Sequence, residues 1–88
     1  MYNNKSISVV ISTFQEKSSI KKFIEDVESL NVVDEIVVVN NNAQRGTDDE
    51  VRQTNAKIIY EKNQGYGYGY RKGLRVAVGD LIIMTEAD

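Results

Sequence analysis

Two short runs of β-branched residues limit this chain to a small group of folds. ISVVI covers residues 7–11 and EIVVVN covers residues 35–40, and both are largely apolar. A strand with one face in water alternates polar and apolar residues, whereas a strand of a parallel sheet is covered on both faces and is apolar throughout. The two runs therefore predict a parallel sheet with helices packed on both of its faces.

The segments after these two runs have the spacing of helices. Ser18 or Ser19 can cap a first helix, whose apolar residues recur at intervals of three and four: Ile20, Phe23, Ile24, Val27 and Leu30. Thr47 and Asp48 predict the start of a short second helix that ends near Thr54.

The rest of the chain predicts two more strands and one more helix. AKIIYE, residues 56–61, and DLIIMT, residues 80–85, are strand patterns, and RKGLRVAVG between them has helical spacing. Gly79 is expected as the C-cap of this helix. The buried face of this third helix is expected to carry Leu74, Ala77 and Val78. The predicted fold is a three-layer, Rossmann-like α/β domain with a mostly parallel sheet of about four strands.

Ligands of such sheets collect at the carboxyl ends of the strands. The segments that follow the four predicted strands are residues 12–16, 40–46, 63–72 and 85–88. The last of these ends the chain, and the fourth strand would have an unpaired edge, which whole proteins usually cover. We therefore expect residues 1–88 to form a single, truncated domain that can self-associate through this edge.

Composition excludes several kinds of chemistry. The 88 residues contain no Cys and no His, which excludes a disulfide, a thiolate metal site, a Cys nucleophile and a His base. Thirteen acids and eleven bases leave a net charge of −2, which argues against a nucleic-acid partner. The first apolar run is too short for a signal sequence or a membrane span, so a cytoplasmic location is expected.

The stretch NQGYGYGYRKG, residues 63–73, alternates Gly and Tyr before two cations. A dinucleotide fingerprint would need glycine at Tyr70, and a P-loop would need a Gly-Lys pair that the sequence lacks. One remaining interpretation is a flexible loop before the third helix, whose glycines approach a ligand and whose helix start favours an anion. The other is a mobile surface loop without a ligand.

Two further motifs follow predicted strands. TEAD, residues 85–88, places two carboxylates two positions apart, and such oxygens suit Mg²⁺ or Mn²⁺. STFQE, residues 12–16, sets an aromatic ring beside a hydroxyl and an acid, which can stack on a base and hold ribose. The alternatives are solvated acids at the chain end and a Phe14 that only packs under the first helix.

The order of these motifs resembles the N-terminal, nucleotide-binding half of family 2 glycosyltransferases with the GT-A fold. VISTFQE is similar to the family's V-I-P-A-Y-N-E, and DEIVVVNNNAQRGT to D-E-I-I-V-V-D-D-x-S-x-D-G-T. Residues 63–88 are similar to N-x-G-x-G-x-A-x-R-x-G-L-x-x-A-x-G-D-x-I-x-x-x-D-A-D. The resemblance covers the whole chain and is strongest for the dolichol-phosphate and polyprenyl-phosphate hexosyltransferases.

This resemblance implies transfer of a sugar from a nucleoside diphosphate, assisted by Mg²⁺ or Mn²⁺, to a polyprenyl or dolichyl phosphate or a glycan. Asp88 and Glu86 would hold the metal ion, which offsets the charge of the departing diphosphate. Acceptor and catalytic residues would follow Asp88, so the chain itself is expected to lack turnover. The resemblance is also compatible with a peripheral position of the protein at the inner face of the membrane. The implied nucleotide-sugar site consists of Ser12, Phe14, Glu16, Val39, Asn41, Arg71, Glu86 and Ala87.

The chain departs from the family pattern at three positions. Ser12 replaces a proline, Asn41 replaces an acid that accepts from the base, and Glu86 replaces the first acid of D-x-D. Base identity is therefore open, and the metal role rests mainly on Asp88. The alternatives are a non-catalytic nucleotide-binding or interaction module and a GT-A nucleotidyltransferase, whose glycine-rich loop after the first strand is absent from the sequence.

Overall fold

Strands and helices alternate along the chain in the predicted order. The structure, a computed structural model, describes residues 1–13, 20–41, 45–63 and 66–86. Its elements are β1 (Ile7–Thr13), α1 (Ile20–Glu28), β2 (Glu35–Asn40), α2 (Thr47–Val51), β3 (Lys57–Tyr60), α3 (Tyr66–Val76) and β4 (Leu81–Glu86).

The four strands form one parallel sheet in the order β3-β2-β1-β4. β1 is buried along its whole length, and in the sheet register its Val9 lies between Ile36 of β2 and Ile83 of β4. The prediction of a parallel α/β sheet is confirmed, because the two apolar runs without polar alternation occupy the two inner positions.

β4 lies at one edge of this sheet and is only partly covered. Leu81 is 42% exposed, Ile83 is 52% exposed and Met84 is 46% exposed. Within the described residues, β1 is the one strand that pairs with β4. The outer edge of β4 therefore has backbone groups available for pairing, as the sequence led us to expect.

Helices α1 and α2 cover one face of the sheet. Ile20 and Ile24 of α1 and Val51 of α2 are almost completely buried. They pack against alternate residues of the two central strands, since successive side chains of a strand point to opposite faces. These strand residues are Ile7, Val9, Ile11, Ile36 and Val38.

α3 covers the opposite face and lies very close to β1. A Cβ atom at Gly69 would stand 2.6 Å from Ser12 Oγ, and a Cβ atom at Gly73 would overlap Val10 Cγ1. Only glycine permits this approach at both positions. Beside the glycines, Tyr70, Val76 and Ala77 pack against Val10, Val37 and Val39.

The Tyr/Gly stretch is helical, which corrects its prediction as a loop. α3 begins at Tyr66 and contains both Gly67 and Gly69, whereas residues 64 and 65 lie outside the described residues. Glycine in a helix costs about 1 kcal/mol relative to alanine, which is why composition favoured a loop. The packing of α3 on the sheet outweighs that propensity.

The buried side of α3 also differs from the predicted one. Ala77 is half-buried, but Leu74 is 44% exposed and Val78 is 78% exposed. The helix meets the sheet through glycines, which a pattern of apolar side chains does not reveal. Since α3 ends at Val76, Gly79 is not its C-cap and instead donates its N–H to Ser8 Oγ at 2.9 Å.

α1 is shorter than its apolar pattern predicted. The helix ends at Glu28, and Leu30 lies beyond it with 62% of its surface exposed. The apolar spacing of the sequence continues past the helix end, because a spacing pattern does not show where the chain turns towards β2. The predicted capping residues, Ser18 and Ser19, lie outside the described residues.

α2 begins at Thr47, as predicted, but ends at Val51 rather than near Thr54. Its N-cap is Gly46, with φ of 96°, which has no side chain to cap the helix. A left-handed φ of this size favours glycine over the hydroxyl and carboxylate residues expected at this position. Three acids in the first turn still place negative charge at the positive end of the helix.

Two carboxylates hold the start of β1 at the amino edge of the sheet. Asp34 Oδ2 accepts the N–H of Ile7 at 2.8 Å, and Asp80 Oδ2 accepts the N–H of Ser6 at 2.9 Å. These backbone donors are the chief reason that the pKa of each carboxyl is lowered. The N-terminal ammonium group, 3.1 Å from Asp34, also lowers the pKa of that carboxyl.

A third carboxylate at this edge, Glu35, is only 8% exposed. It accepts from Ser8 Oγ at 2.6 Å, from Lys57 Nζ at 2.6 Å and from the N–H of Val78 at 3.0 Å. Burial alone would raise the pKa of Glu35, but the three donors together hold it below the ordinary value. The contacts join the three strands β1, β2 and β3 to the segment that follows α3.

We predict opposite effects of alanine at two glycines of α3. Gly73→Ala should destabilise the chain, because the overlap with Val10 costs about 1–3 kcal/mol and exceeds a helix-propensity gain of about 1 kcal/mol. Gly67→Ala is the matched control, since nothing lies within 4 Å of its Cβ position, and it should stabilise by up to about 1 kcal/mol. Urea unfolding measures both, and equal shifts of the two midpoints would contradict the close approach of α3.

Acid should destabilise the folded chain. Because the pKa values of Asp34, Glu35 and Asp80 are lowered by folding, their stabilising contribution is complete above the unfolded pKa of about 4. It is lost as the pH falls through the folded-state values. Thermal melting across this range should show a shallower decline for Asp80→Asn than for wild type. The control Asp49→Asn, at a side chain 82% exposed, should decline like wild type.

Candidate functional site

The four strands end at one edge of the sheet because they are parallel. Their last residues are Thr13, Asn40, Tyr60 and Glu86. In the register, Ser12 pairs with Val39 of β2 and with Glu86 of β4, so the polar ends of three neighbouring strands lie side by side. α3 begins beyond this edge, which makes the carboxyl edge the candidate ligand site.

Ser12, Asn41 and Gly69 form a tight cluster between β1, β2 and α3. Ser12 and Asn41 are fully buried. The Cβ position of Gly69 lies 2.6 Å from Ser12 Oγ and 3.5 Å from Asn41 Nδ2. Asn41 is held by its backbone N–H, which donates to the carbonyl of Thr13 at 3.0 Å.

Ser12 Oγ is the unusual atom of this cluster. It is buried, and no hydrogen-bond partner for it exists among the described residues. A buried hydroxyl without a partner costs about 1–3 kcal/mol of desolvation, so an orphan of this kind calls for a functional or structural explanation. The cluster is therefore the candidate binding part of the carboxyl edge.

Val39 contributes no exposed side chain to this edge. It is 0% exposed and packs in the core below α3. Its carbonyl accepts from Thr13 Oγ1 at 3.3 Å. The side chain at this position, which the resemblance implied for the site, therefore belongs to the core and faces no open space.

Arg71 lies on the outer side of α3, away from Gly69 and Gly73. Its Nε donates to the carbonyl of Gly67 at 3.3 Å, and its guanidinium carbon is 4.9 Å from the centre of the Tyr68 ring. The structure does not bring Arg71 together with Ser12 and Asn41. An arginine stacked on a ring keeps the N–H groups at its edge for other acceptors.

The remaining predicted site residues lie at the limits of the described chain. Phe14, Glu16, Ala87 and Asp88 are outside the described residues, and for Glu86 the structure describes the backbone. Within the described stretches, no group of three or more acids is placed to hold a metal ion. In the sheet register the backbone of Glu86 pairs with that of Ser12.

A polar network that sequence reasoning missed lies on the α2 side of the same edge. Asn40 Nδ2 donates to Asp48 Oδ1 at 2.6 Å, and the Tyr60 hydroxyl donates to Asp48 Oδ2 at 2.8 Å. The hydrogen bond to Asp48 is the main cause that raises the pKa of Tyr60, followed by burial and the charge of Asp48. Asn40 and Tyr60 pair at the ends of adjacent strands, and this register is visible only in the structure.

A cleft of about 540 Å³ lies at the opposite, amino edge of the sheet. It is lined by polar and charged residues that include Glu28, Asn55 and Lys57. Asn55 Nδ2 donates to Glu28 at 3.3 Å, and Lys57 is paired with Glu35, so these groups already satisfy one another. We assign the ligand site to the carboxyl edge rather than to this cleft, because parallel sheets bind ligands at the carboxyl ends of their strands.

The family of the chain follows from comparison with known sequences. The chain belongs to glycosyl transferase family 2, whose sequence profile matches residues 8–88. That match includes β2, β3, β4, all of β1 except Ile7, and the whole carboxyl edge. No curated protein sequence matches the chain.

Solved structures confirm the GT-A-like half domain. Glucosyl-3-phosphoglycerate synthase from Mycobacterium tuberculosis, in complex with Mn²⁺, UDP and glucosyl-3-phosphoglycerate, superimposes with a TM-score of 0.86 at 21% identity. The same enzyme with Mn²⁺ and UDP-glucose gives a TM-score of 0.85 at 21% identity. In both cases the match covers 97% of this chain and 34% of the other, so the chain spans about a third of these proteins.

The described helices are too short or too polar to cross a bilayer.

We predict that two buried serines of β1 respond differently to alanine. Ser8 donates to Glu35 and accepts from Gly79, so Ser8→Ala should cost about 1–3 kcal/mol, because the N–H of Gly79 loses its acceptor and the buried carboxylate of Glu35 loses one of its three donors. Ser12→Ala removes a hydroxyl without such partners and should be neutral or stabilising. Both serines belong to β1, are 0% exposed and lie an even number of residues apart, so they share one face of the sheet, which makes the pair a matched comparison. Equal losses in urea unfolding would contradict the assignment of Ser12 as an orphan hydroxyl.

Proposed function

We propose that the chain is the donor-binding half of a glycosyltransferase that uses a nucleoside-diphosphate sugar. The observation that carries this proposal is the family match over residues 8–88 together with the cluster of Ser12, Asn41 and Gly69 at the carboxyl edge. The solved neighbours bind UDP or UDP-glucose, which supports a nucleotide-sugar donor for this chain. Residues 1–88 form one domain in this proposal.

The nucleoside would bind beside β1 and β2. Ser12 and Asn41 supply a hydroxyl and an amide there, and Phe14 and Glu16 follow β1 directly. An amide offers both an acceptor and a donor, whereas the carboxylate usual in this family offers acceptors alone. Asn41 can therefore accept the N3–H of uracil and also donate to a base oxygen, which permits looser base choice.

The carboxyl edge fits a divalent cation in the chemistry of its donors. Glu86 ends β4 next to Ser12, and Asp88 follows two residues later. Both oxygens of Asp48, another acid at this edge, already accept hydrogen bonds, so Asp48 is committed to Asn40 and Tyr60. Carboxylates suit Mg²⁺ or Mn²⁺, and such an ion offsets the charge that builds on a departing diphosphate. We assign Asp88 as the principal ligand and Glu86 as its partner.

The acceptor would be a lipid phosphate or a glycan. The resemblance to dolichol-phosphate and polyprenyl-phosphate hexosyltransferases favours a lipid phosphate, with a glycan as the other class. Because the solved neighbours are about three times as long as the match, we assign acceptor binding and catalysis to chain outside these 88 residues. The exposed β4 edge would support self-association of the 88 residues when they are isolated.

Binding of UDP with and without Mn²⁺ tests the proposal. Titration calorimetry should show weak binding without the metal and clearly tighter binding with it. Asp88→Ala should abolish the metal effect, and Glu86→Ala should reduce it less, because Asp88 matches the last acid of the family's D-x-D motif whereas Glu86 replaces the first. Asp49→Ala is the control, since Asp49 is exposed and distant from β4, and it should bind like wild type.

Two results would overturn this assignment. Equal binding of UDP by wild type and Asp88→Ala, with no effect of Mn²⁺ on either, would remove the metal site. Failure of UDP and of GDP to bind at any Mn²⁺ concentration, with the fold confirmed by circular dichroism, would remove the donor site.

A further inference from the structure

The two helical layers of the molecule carry opposite charge. α3 contains Arg71, Lys72 and Arg75 and no acid. α1 contains two lysines and three acids, and the first turn of α2 contains three acids. The modest net charge of −2 therefore conceals a basic layer on one face of the sheet and an acidic layer on the other.

The outward side of α3 combines these cations with apolar side chains. Tyr68, Arg71, Leu74 and Arg75 are spaced three and four residues apart, so they lie on one side of the helix. Tyr68 is 45% exposed and Leu74 is 44% exposed, and both arginines are exposed. We call these four residues the basic outer face of α3.

This composition is that of a helix at a lipid surface. Interfacial helices pair cations with Leu and aromatic side chains, which enter the boundary between headgroups and acyl chains. Arg71 is held over the Tyr68 ring at 4.9 Å, and this stacking orients the guanidinium while its edge N–H groups can meet phosphate. Each cation near an anionic membrane contributes roughly fivefold to binding.

We propose that the basic outer face of α3 docks the protein on anionic phospholipid. Charge complementarity sets the orientation, because the acidic layer formed by α1 and α2 would be repelled from the same surface. The chain needs no membrane-spanning segment for this contact. α3 lies flat on the sheet and starts at the carboxyl edge, so docking would hold that edge next to the headgroups.

A lipid surface fits this face better than other polyanions or proteins. Nucleic-acid sites combine several stacking rings with basic residues on several elements, whereas Tyr68 is the single ring of this face and the cations share one helix. An acidic peptide would need a groove, and the outer side of α3 is convex. A planar array of phosphates above an apolar layer matches a convex helix that carries arginines and leucine.

Vesicle flotation with the whole chain tests this inference. Wild type should float with vesicles of equal parts phosphatidylcholine and phosphatidylglycerol and should not float with phosphatidylcholine alone, and added salt should weaken the binding. Arg71→Gln combined with Arg75→Gln should weaken partitioning by about 25-fold, the product of two cation contributions. Lys21→Gln combined with Lys22→Gln is the matched control, since it changes net charge equally on the opposite layer and should bind like wild type.

A second matched pair of variants tests the contribution of apolar side chains to vesicle binding. Leu74→Gln should weaken vesicle binding several-fold, whereas Leu30→Gln, at a leucine 62% exposed beyond α1, should leave it unchanged. Because these assays contain neither nucleotide nor Mn²⁺, their outcome is independent of the proposed donor site.

Four outcomes would overturn the inference. These are no flotation of wild type, equal flotation of the two double variants, binding to phosphatidylcholine as strong as to the anionic vesicles, and an equally tight complex with a single-stranded oligonucleotide. The last of these would assign the face to a soluble polyanion. Far-ultraviolet circular dichroism confirms that each variant is folded before its binding is compared.

Discussion

The close approach of α3 to β1 is the contact on which the carboxyl edge depends. Gly69 and Gly73 are one helical turn apart and both face β1, where Ser12 and Val10 fill the space that side chains would occupy. A methyl group at Gly73 would lift the helix from the sheet. The start of α3 would then move away from Ser12 and Asn41, and the enclosed cluster at the strand ends would open.

The two edges of the sheet use polar groups in different ways. At the amino edge, the buried carboxylate of Glu35 accepts hydrogen bonds from Ser8, Lys57 and Val78. Such a network anchors the strands and leaves this buried carboxylate with hydrogen-bond partners. At the carboxyl edge, the hydroxyl of Ser12 is buried without such partners among the described residues. The carboxyl edge thus combines the satisfied network around Asp48 with a buried hydroxyl that has no such partner within the described stretches, and the amino edge around Glu35 is satisfied.

The layered architecture also separates positive and negative charge onto opposite faces of the sheet. Because the sheet separates α3 from α1 and α2, the cations of one layer and the acids of the other cannot neutralise each other at close range. Net charge alone would describe a weakly acidic protein with no preferred partner. The separation of charge across the sheet, rather than its total, determines which face can approach a charged surface.

The sequence by itself determined the order of elements, the parallel sheet and the convergence of Ser12, Asn41 and Glu86 at one edge, because strand and helix periodicities are local and parallel strands share an end. Tertiary structure alone decided that the Tyr/Gly stretch is helical, that Arg71 lies on the outer side of α3 and that Asp48 joins two strand ends. These features depend on contacts between residues distant in the chain. The glycines of α3 in particular give no apolar side-chain pattern in the sequence, because they allow close packing through the absence of a Cβ atom.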